Sequence, residues 1–483
     1  MSKENIKFGT DGWRGVIAKD FTFENLTYVS IATAEKFLSD LKSNPKLKNL
    51  VFIGYDRRFL GEEFAERVAR VFTAKGLNVN LYNKDVPTPM VSYDVRKNGC
   101  VGGIVITASH NPANFSGFKI KQPEGSSAAK DFTSKVEDIL KTISEDDICK
   151  LNLTDIPTYN LIPPSVDYIN YLKSTLNTEK LKTINGKIII DPMHGAGGSF
   201  IEDLLSGGKL EVQTIRKNRD VYFGGVNPEP MMPQLTPLCE AVKKEKALIG
   251  LATDGDADRV GAVDETGSYI NTHKILSILL YYFAEKKKLT GGVVVTFSQS
   301  VLVKRIAKKY RFKIYEVPIG FKFIADLMIK EDILIGGEEA NGIGSKLQFM
   351  PDRDGIFNSL LLFEAINSFQ IKPSELINKL HSEFGTFYYD RIDMHIKNPA
   401  TGKEFVSLIS KNPPKEVNGQ KIQEVQTLDG TKFVFEDESW LLFRGSGTEP
   451  VLRIYSEALS PETVKSNLKF GEKLYESSRK TLV

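Results

Sequence analysis

Apolar residues fall along this chain in short runs that alternate with amphipathic stretches. Residues 50–55 form a continuous apolar run closed by Asp56-Arg57-Arg58, the length and character of a buried strand. Residues 61–75 follow with Phe64, Val68 and Phe72 at four-residue spacing, one face of a helix, and stop at Gly76. Residues 79–81 and 101–106 read as further strands, with a helix between them that opens at Pro89 and closes near Gly99. The alternation restarts at 187–190, 211–215 and 248–253, and again at 293–296, 313–317 and 333–335, interleaved with helical segments such as 301–309. Three successive α/β units are the economical reading. Past residue 385 the pattern breaks into short segments at 388–396, 431–435 and 440–443 and closes with a helix from Pro461, which predicts a smaller α+β domain. Pro157, Pro163 and Pro164 mark a boundary near 155, so the expected division is 1–155, 156–270, 271–385 and 386–483.

Composition narrows the function classes. The chain has 483 residues, 41% hydrophobic and 26% charged, enough for several cores. Its 64 basic and 61 acidic residues nearly cancel to +3, which gives no support for nucleic acid or membrane-surface partners. No signal-peptide core opens the sequence and no window approaches 18 uninterrupted apolar residues, so the expectation is a cytoplasmic protein with no membrane partner. Cys100, Cys149 and Cys239 are odd in number and widely spaced, which suggests neither a disulfide framework nor a zinc site. Nothing in the sequence bears on oligomeric state.

The polar segments that follow the apolar runs carry the candidate chemistry. Thr107-Ala108-Ser109-His110-Asn111-Pro112 leaves the strand 101–106, where α/β sheets bind ligands, and makes Ser109 the first candidate for a reactive group. A helix cap or Asx turn is the competing reading. Asp254-Gly-Asp256-Ala-Asp258-Arg259 offers three hard oxygen ligands from one loop after the strand 248–253. An EF-hand calcium loop competes, since Glu265 falls at its twelfth position, but Arg259 stands where that loop needs glycine; an acidic surface turn is the other alternative. Gly336-Gly337-Glu338-Glu339-Ala340-Asn341-Gly342 suits a loop accepting hydrogen bonds from sugar hydroxyls, or a plain solvated loop. Arg444-Gly-Ser446-Gly447-Thr448-Glu449-Pro450, with Arg453 beyond, combines guanidinium groups, hydroxyls and glycine-freed amides, the parts of an anion cradle or of a turn with a basic face. Phe8 to Gly15 is another glycine-rich loop, whose Arg14 could reach a phosphate and whose Trp13 suits packing.

Several templates fail. No Gly-x-x-x-x-Gly-Lys-[Ser/Thr] occurs, and Gly195-Ala-Gly197-Gly198-Ser-Phe misses the last glycine of the dinucleotide fingerprint. Ser116-Gly-Phe-Lys119 lacks an accompanying Lys-Thr-Gly, and Ser109 has no Gly-x-Ser-x-Gly elbow, which argues against acyl transfer.

Taken together, residues 107–112 with Lys119, 254–259, 337–341 and 444–453 resemble in order and spacing the four signatures of the α-D-phosphohexomutase family, and Phe8 to Gly15 is similar to its opening loop. The resemblance covers essentially the whole chain. It implies three similar α/β domains and a fourth α+β domain around a central cleft. It implies a phosphoserine at Ser109, with Mg²⁺ bound by Asp254, Asp256, Asp258 and a phosphoryl oxygen on Ser109. Arg14, Lys119 and Arg259 match positions near the phosphoserine, and His110 adjoins it. Glu338 and Ala340 match the sugar-binding loop, and Arg444, Ser446, Gly447, Thr448 and Arg453 match a site for the remote phosphate. Lys322, in Gly320-Phe321-Lys322, resembles a lysine of glucose-type members, so the general base is open between Lys322 and Lys119.

The implied activity is phosphoglucomutase, with phosphomannomutase as a second activity, through a sugar bisphosphate of the glucose 1,6-bisphosphate type that also serves as activator. Ala340 stands where many members carry serine. Glu339 stands where members acting on glucosamine phosphate usually carry glutamine, which weakens that alternative; the Glu-Glu-Ala sequence is similar to pentose-phosphate mutases of the family, a second alternative. A non-catalytic phosphosugar-binding protein would be expected to lose Ser109 or an aspartate, and a metal-dependent phosphatase would not need the Arg444 motif.

Overall fold

The apolar runs become the inner strands of four sheets, with the intervening segments as covering helices. The computed structural model describes residues 6–9, 11–151, 153, 158–445 and 450–478. The first sheet runs in the order Trp13–Val16, Phe115–Lys121, Cys100–Ile106, Lys48–Tyr55, Val79–Tyr82, Asn160–Ile162. Its last strand lies beyond the boundary expected near 155. Parallel neighbours need crossovers, which the helices Gly61–Ala74 and Thr88–Asn98 supply; Gly99 ends the second of them at φ 63°.

The 21-residue helix Phe23–Ser43 shows no clear apolar stripe in the sequence, because Asn25 to Ala34 are buried on every face and Thr27, Ser30 and Thr33 stand among them. Each hydroxyl donates to the carbonyl four residues back, at 2.7, 2.6 and 2.8 Å, so burial leaves no donor unpaired.

The second sheet is ordered Tyr269–Ile270, Val260–Asp264, Ile249–Thr253, Gly186–Asp191, Leu210–Thr214, and the third Ile314–Val317, Gly292–Thr296, Ile333–Gly337, Ile343–Ser345. These two and the first share one topology. A first strand lies between a second and a third, all parallel, and a fourth runs antiparallel beside the third. The connector from third to fourth strand therefore leaves the carboxyl edge of each sheet at the same place. In the three sheets that connector is the loop carrying Ser109, the loop carrying Asp254, Asp256 and Asp258, and the loop carrying Glu338 and Ala340.

The fourth sheet is antiparallel, ordered Tyr388–His395, Val451–Ala458, Trp440–Gly445, Thr431–Phe435, Gln420–Gln426, Glu416–Val417. The helices Pro399–Lys411 and Pro461–Ser478 cover one of its faces, burying Phe405, Phe443 and Tyr475 together. One buried cluster runs from Phe52 in the first sheet through Leu251 and Val295 to Trp440 and Tyr455 in the fourth, so the four sheets share an apolar interior. No helix among the described residues is long and apolar enough to cross a membrane.

Candidate active site

At the carboxyl end of Cys100–Ile106 the chain turns so tightly that Ser109 takes φ 52°. A left-handed serine costs on the order of 1–2 kcal/mol, and its surroundings have to impose it. Arg58 does so. It is buried, paired with Asp56 at 3.2 Å, and donates to the carbonyls of Ser109, Asn111 and Pro112 at 2.7 Å and of Phe115 at 3.0 Å. Thr107 Oγ1 accepts the N–H of Ser109 at 2.8 Å and donates to Asp56 at 2.6 Å. Burial pushes the Asp56 carboxyl up to about 6 against the pull of Arg58 and Thr107. The Ser109 hydroxyl, fully buried, donates to Asp254 Oδ2 at 2.7 Å and lies 3.5 Å from His110 Nδ1. Burial, followed by the charges of Arg259 and Arg14, holds His110 well below the ordinary histidine range, so its ring is neutral.

The aspartate loop meets this turn directly. A Cβ on Gly255 would lie 2.5 Å from the carbonyl oxygen of Ser109, so only glycine allows the two loops to touch. Asp254, Asp256 and Asp258 are buried, and each offers an oxygen within 4.8 Å of the others. Burial excludes the surface turn, and the strand on either side excludes the EF-hand; Glu265 instead accepts the N–H of Ser374 at 3.2 Å.

The oxygens divide into two sets. Asp254 Oδ1 accepts the N–H groups of Asp258 and Arg259 at 3.0 Å, Thr88 donates to Asp256 Oδ2 at 2.6 Å, and Lys119 Nζ sits 2.8 Å from Oδ2 of Asp256, Asp258 and Asp11. Oδ1 of Asp256 and of Asp258 are buried with no hydrogen-bond partner among the described residues. Two orphaned carboxylate oxygens, beside the Asp254 oxygen that meets Ser109, fit a small divalent cation bound by hard ligands. Burial, then Asp256 and Asp258, pushes the Asp254 carboxyl well above the carboxylate range, the strain that a cation would relieve.

The cations the sequence singled out surround this centre. Burial works against the charge of Lys119, but Asp11, Asp256 and Asp258 outweigh it and hold the ammonium above the usual lysine range. Arg259 is buried 3.9 Å from both Asp254 and Asp258 and 3.5 Å from Glu229. Arg14 donates to the Asn111 side chain and lies 4.0 Å from Asp11. Trp13 packs, stacked on Phe21 with ring centroids 4.7 Å apart.

The third connector brings Glu338 to the same cleft. Glu338 is buried and accepts from Arg353 at 3.2 Å, while burial pushes its carboxyl up. Glu339 accepts the Ser298 hydroxyl at 2.6 Å, and Ala340 beside it presents no polar group. Asn341, at φ 68°, donates to the carbonyls of Pro230 and Val260 at 2.8 and 3.0 Å, which ties this loop to the aspartate loop's sheet.

On the fourth sheet the register sets Arg444 directly opposite Arg453. Like charges so placed repel unless an anion lies between them. Asp429 steadies Arg444 at 2.9 Å and Asp393 steadies Arg453 at 3.4 Å. Ser446, Gly447 and Thr448 lie outside the described residues. Lys322 is half-buried, and burial followed by the charges of Lys130 and Arg444 lowers its pKa from the ordinary lysine value.

Four profiles of one family match the chain in order. They are phosphoglucomutase/phosphomannomutase alpha/beta/alpha domains I, II and III at residues 5–147, 166–267 and 271–384, and the C-terminal domain at 406–468. The chain is also 31% identical over 476 residues to the phosphoglucomutase/phosphomannomutase of Thermococcus kodakarensis, covering 98% of this chain and 99% of that one. The chain belongs to the phosphoglucomutase/phosphomannomutase family. It is therefore an enzyme of the phosphohexomutase class, an isomerase that works by phosphoryl transfer. A phosphoglucosamine/phosphogalactosamine mutase of Sulfurisphaera tokodaii is 30% identical, covering 95% of this chain and 97% of that one. Among solved structures, a Thermus thermophilus protein provisionally named a phosphomannomutase superposes with TM-score 0.85 at 33% identity, covering 98% of this chain and 99% of that one.

Within this family site, two residues escape a reading of the sequence. Arg353 is buried and reaches three loops at once, at 2.6 Å from Asp11, 2.7 Å from Asp258 and 3.2 Å from Glu338. Its signal is the charged triplet Asp352-Arg353-Asp354 set against the apolar helix Gly355–Ser368. Arg58 has a signal too, an arginine at the carboxyl end of the strand Lys48–Tyr55, but its partners are carbonyls more than fifty residues away.

Proposed function

We propose that the enzyme interconverts hexose 1-phosphate and hexose 6-phosphate of the glucose and mannose type, with Ser109 as the phosphoryl carrier. The observation that carries this is the Ser109 hydroxyl held 2.7 Å from Asp254 inside a cluster of three buried aspartates. In the forward half-reaction the bond between phosphorus and Ser109 Oγ breaks, and a bond from the sugar's free hydroxyl oxygen to phosphorus forms. The sugar hydroxyl's proton goes to Lys322, and the displaced Ser109 oxygen, faced by the cations Arg14, Lys119 and Arg259, takes up a proton from solvent to become the hydroxyl that donates to Asp254. The resulting bisphosphate of the glucose 1,6-bisphosphate type reorients, and its other phosphoryl group returns to Ser109 by the reverse exchange. Asp254, Asp256, Asp258 and the phosphoserine oxygen would hold Mg²⁺, which offsets the charge of the carboxylates and the phosphoryl group and polarises the phosphorus.

The remaining roles follow from charge. Lys119, fixed by three carboxylates, serves as a permanent cation at the Ser109 end. Lys322, half-buried among other cations, is the base for the sugar hydroxyl. A lysine base works only when unprotonated, so kcat rises with pH across the lowered pKa of Lys322. A pH–rate profile is expected to lose this rising limb in Lys322→Met, with kcat down by about 10²–10⁴-fold; an unchanged limb returns the base to another group.

Arg444 and Arg453, joined by Ser446, Gly447 and Thr448, grip the phosphate that is not reacting, whichever end of the sugar it occupies. Glu338, oriented by Arg353, holds the ring hydroxyls beside Ala340, whose side chain supplies no hydrogen bond. The charge of Glu339 is already faced by Arg444 and Arg391, which favours a neutral hexose over the ammonium of a glucosamine. The test is a parallel assay of the 1-phosphates of glucose, mannose, glucosamine and ribose with Mg²⁺ and a trace of glucose 1,6-bisphosphate. Glucose and mannose are expected to give the highest kcat/KM; a preference for glucosamine or ribose would assign the enzyme to the corresponding branch of the family.

A further inference from the structure

The strand Val451–Ala458 presents two different faces. Leu452 and Ile454 pack with Phe405 and Leu468 under the covering helices, whereas Tyr455 joins the cluster shared with the third sheet. Tyr455 therefore lies on the cleft side, two residues beyond Arg453 on the same face, and in register with Leu442 on one neighbouring strand and Arg391 on the other. The Arg444–Arg453 pair and Tyr455 form one continuous patch of that face.

Tyr455 is fully buried, and its phenol oxygen has no hydrogen-bond partner among the described residues. An unsatisfied buried hydroxyl is costly, and a phenylalanine would fill the same space without that cost. The charges that act on the phenol are those of Glu339 from the sugar loop and of Arg453, Arg444 and Arg391 from its own sheet. The hydroxyl thus sits where the third and fourth domains meet around the space for the remote phosphate. Burial and Glu339 push the phenol up to about 12 against the pull of Arg453, so at neutral pH it is a hydrogen-bond donor.

We propose that Tyr455 is a substrate-binding residue whose hydroxyl donates to the phosphate held between Arg444 and Arg453. The proposal rests on the mutase reading given above. A neutral donor adds a directed contact to that phosphate without adding a third like charge to two opposed arginines. It also leaves the grip indifferent to which end of the sugar the phosphate occupies, since only phosphate oxygens are touched.

Tyr455→Phe removes one oxygen and keeps the ring. Its thermal unfolding midpoint is expected to equal or exceed that of the native enzyme, because no hydrogen-bond partner among the described residues is lost. Its kcat/KM should fall by about tenfold, carried by KM, and by the same factor for glucose 1-phosphate and mannose 1-phosphate. Calorimetric binding of glucose 6-phosphate to the Ser109→Ala chain should weaken by a similar factor when Tyr455→Phe is added. An unchanged KM and unchanged calorimetric affinity overturn the proposal, as does a loss confined to one sugar, which would move the contact to a ring hydroxyl. A lowered midpoint with unchanged affinity also overturns it, by making the hydroxyl structural. The calorimetric arm needs no turnover. Failure of the mutase reading shows instead as absent isomerisation by the native enzyme, so the two failures are told apart.

Discussion

Ser109→Ala is expected to abolish interconversion of the sugar phosphates, with kcat reduced by at least about 10⁴-fold while the protein stays folded. The reasoning is chemical: among the described residues no other hydroxyl or thiol shares the position, His110 is 3.5 Å away across a poor contact, and the carboxylate oxygens left without a partner are those placed to hold a cation. Alanine has the same Cβ as serine, so the left-handed turn at φ 52° and its Arg58 contacts remain, and only the bond to Asp254 is lost. Rates measured beside the thermal unfolding midpoint separate the two effects. Intact-mass measurement adds a direct reading, in which native enzyme exposed to glucose 1,6-bisphosphate gains one phosphate and Ser109→Ala gains none. Residual turnover within tenfold of native, or phosphate on the variant, would place the carrier elsewhere.

The second large effect is on stability as well as rate. Arg58→Met is expected to cost about 3–5 kcal/mol, because it removes one partner of a fully buried ion pair and leaves Asp56 without its cation. Four carbonyls of the 109–115 turn lose their donor at the same time. With the clasp gone, Ser109 is free to leave its left-handed conformation, so turnover falls along with stability. Arg58→Lys should rescue little, since a single ammonium cannot span four carbonyls and a carboxylate. Denaturant unfolding followed by circular dichroism checks the first claim and kcat the second; an unchanged midpoint in Arg58→Met would show that the turn is held by Thr107 and Asp254 alone.

The strands around the site are readable because each is an uninterrupted apolar run buried on both faces, as in Cys100–Ile106 and Ile249–Thr253. The helix Phe23–Ser43 and the strand Gln420–Gln426 are not. The first buries hydroxyls satisfied by its own backbone, and the second buries none of its side chains fully, so neither shows an apolar period. Signatures on one short segment, such as Asp254 to Asp258, carry their chemistry locally. Arg353 does not, because its three partners are Asp11, Asp258 and Glu338, and no spacing within the sequence relates them.

By itself the sequence carried the α/β character, the four-part organisation, and the candidate nucleophile, metal-binding carboxylates, sugar loop and arginines, since these depend on residue type and on neighbours a few positions apart. Tertiary structure alone decided that three of those loops are the same connector in three sheets, and that they therefore converge on one cleft. It also set Lys119 among three buried carboxylates and left Lys322 half-buried near other cations, because burial and opposing charge come from residues brought from other domains. Ser109 illustrates the division. Its hydroxyl is written in the chain, but the turn that aims it at Asp254 is bonded by Arg58, fifty-one residues earlier, and by Thr107.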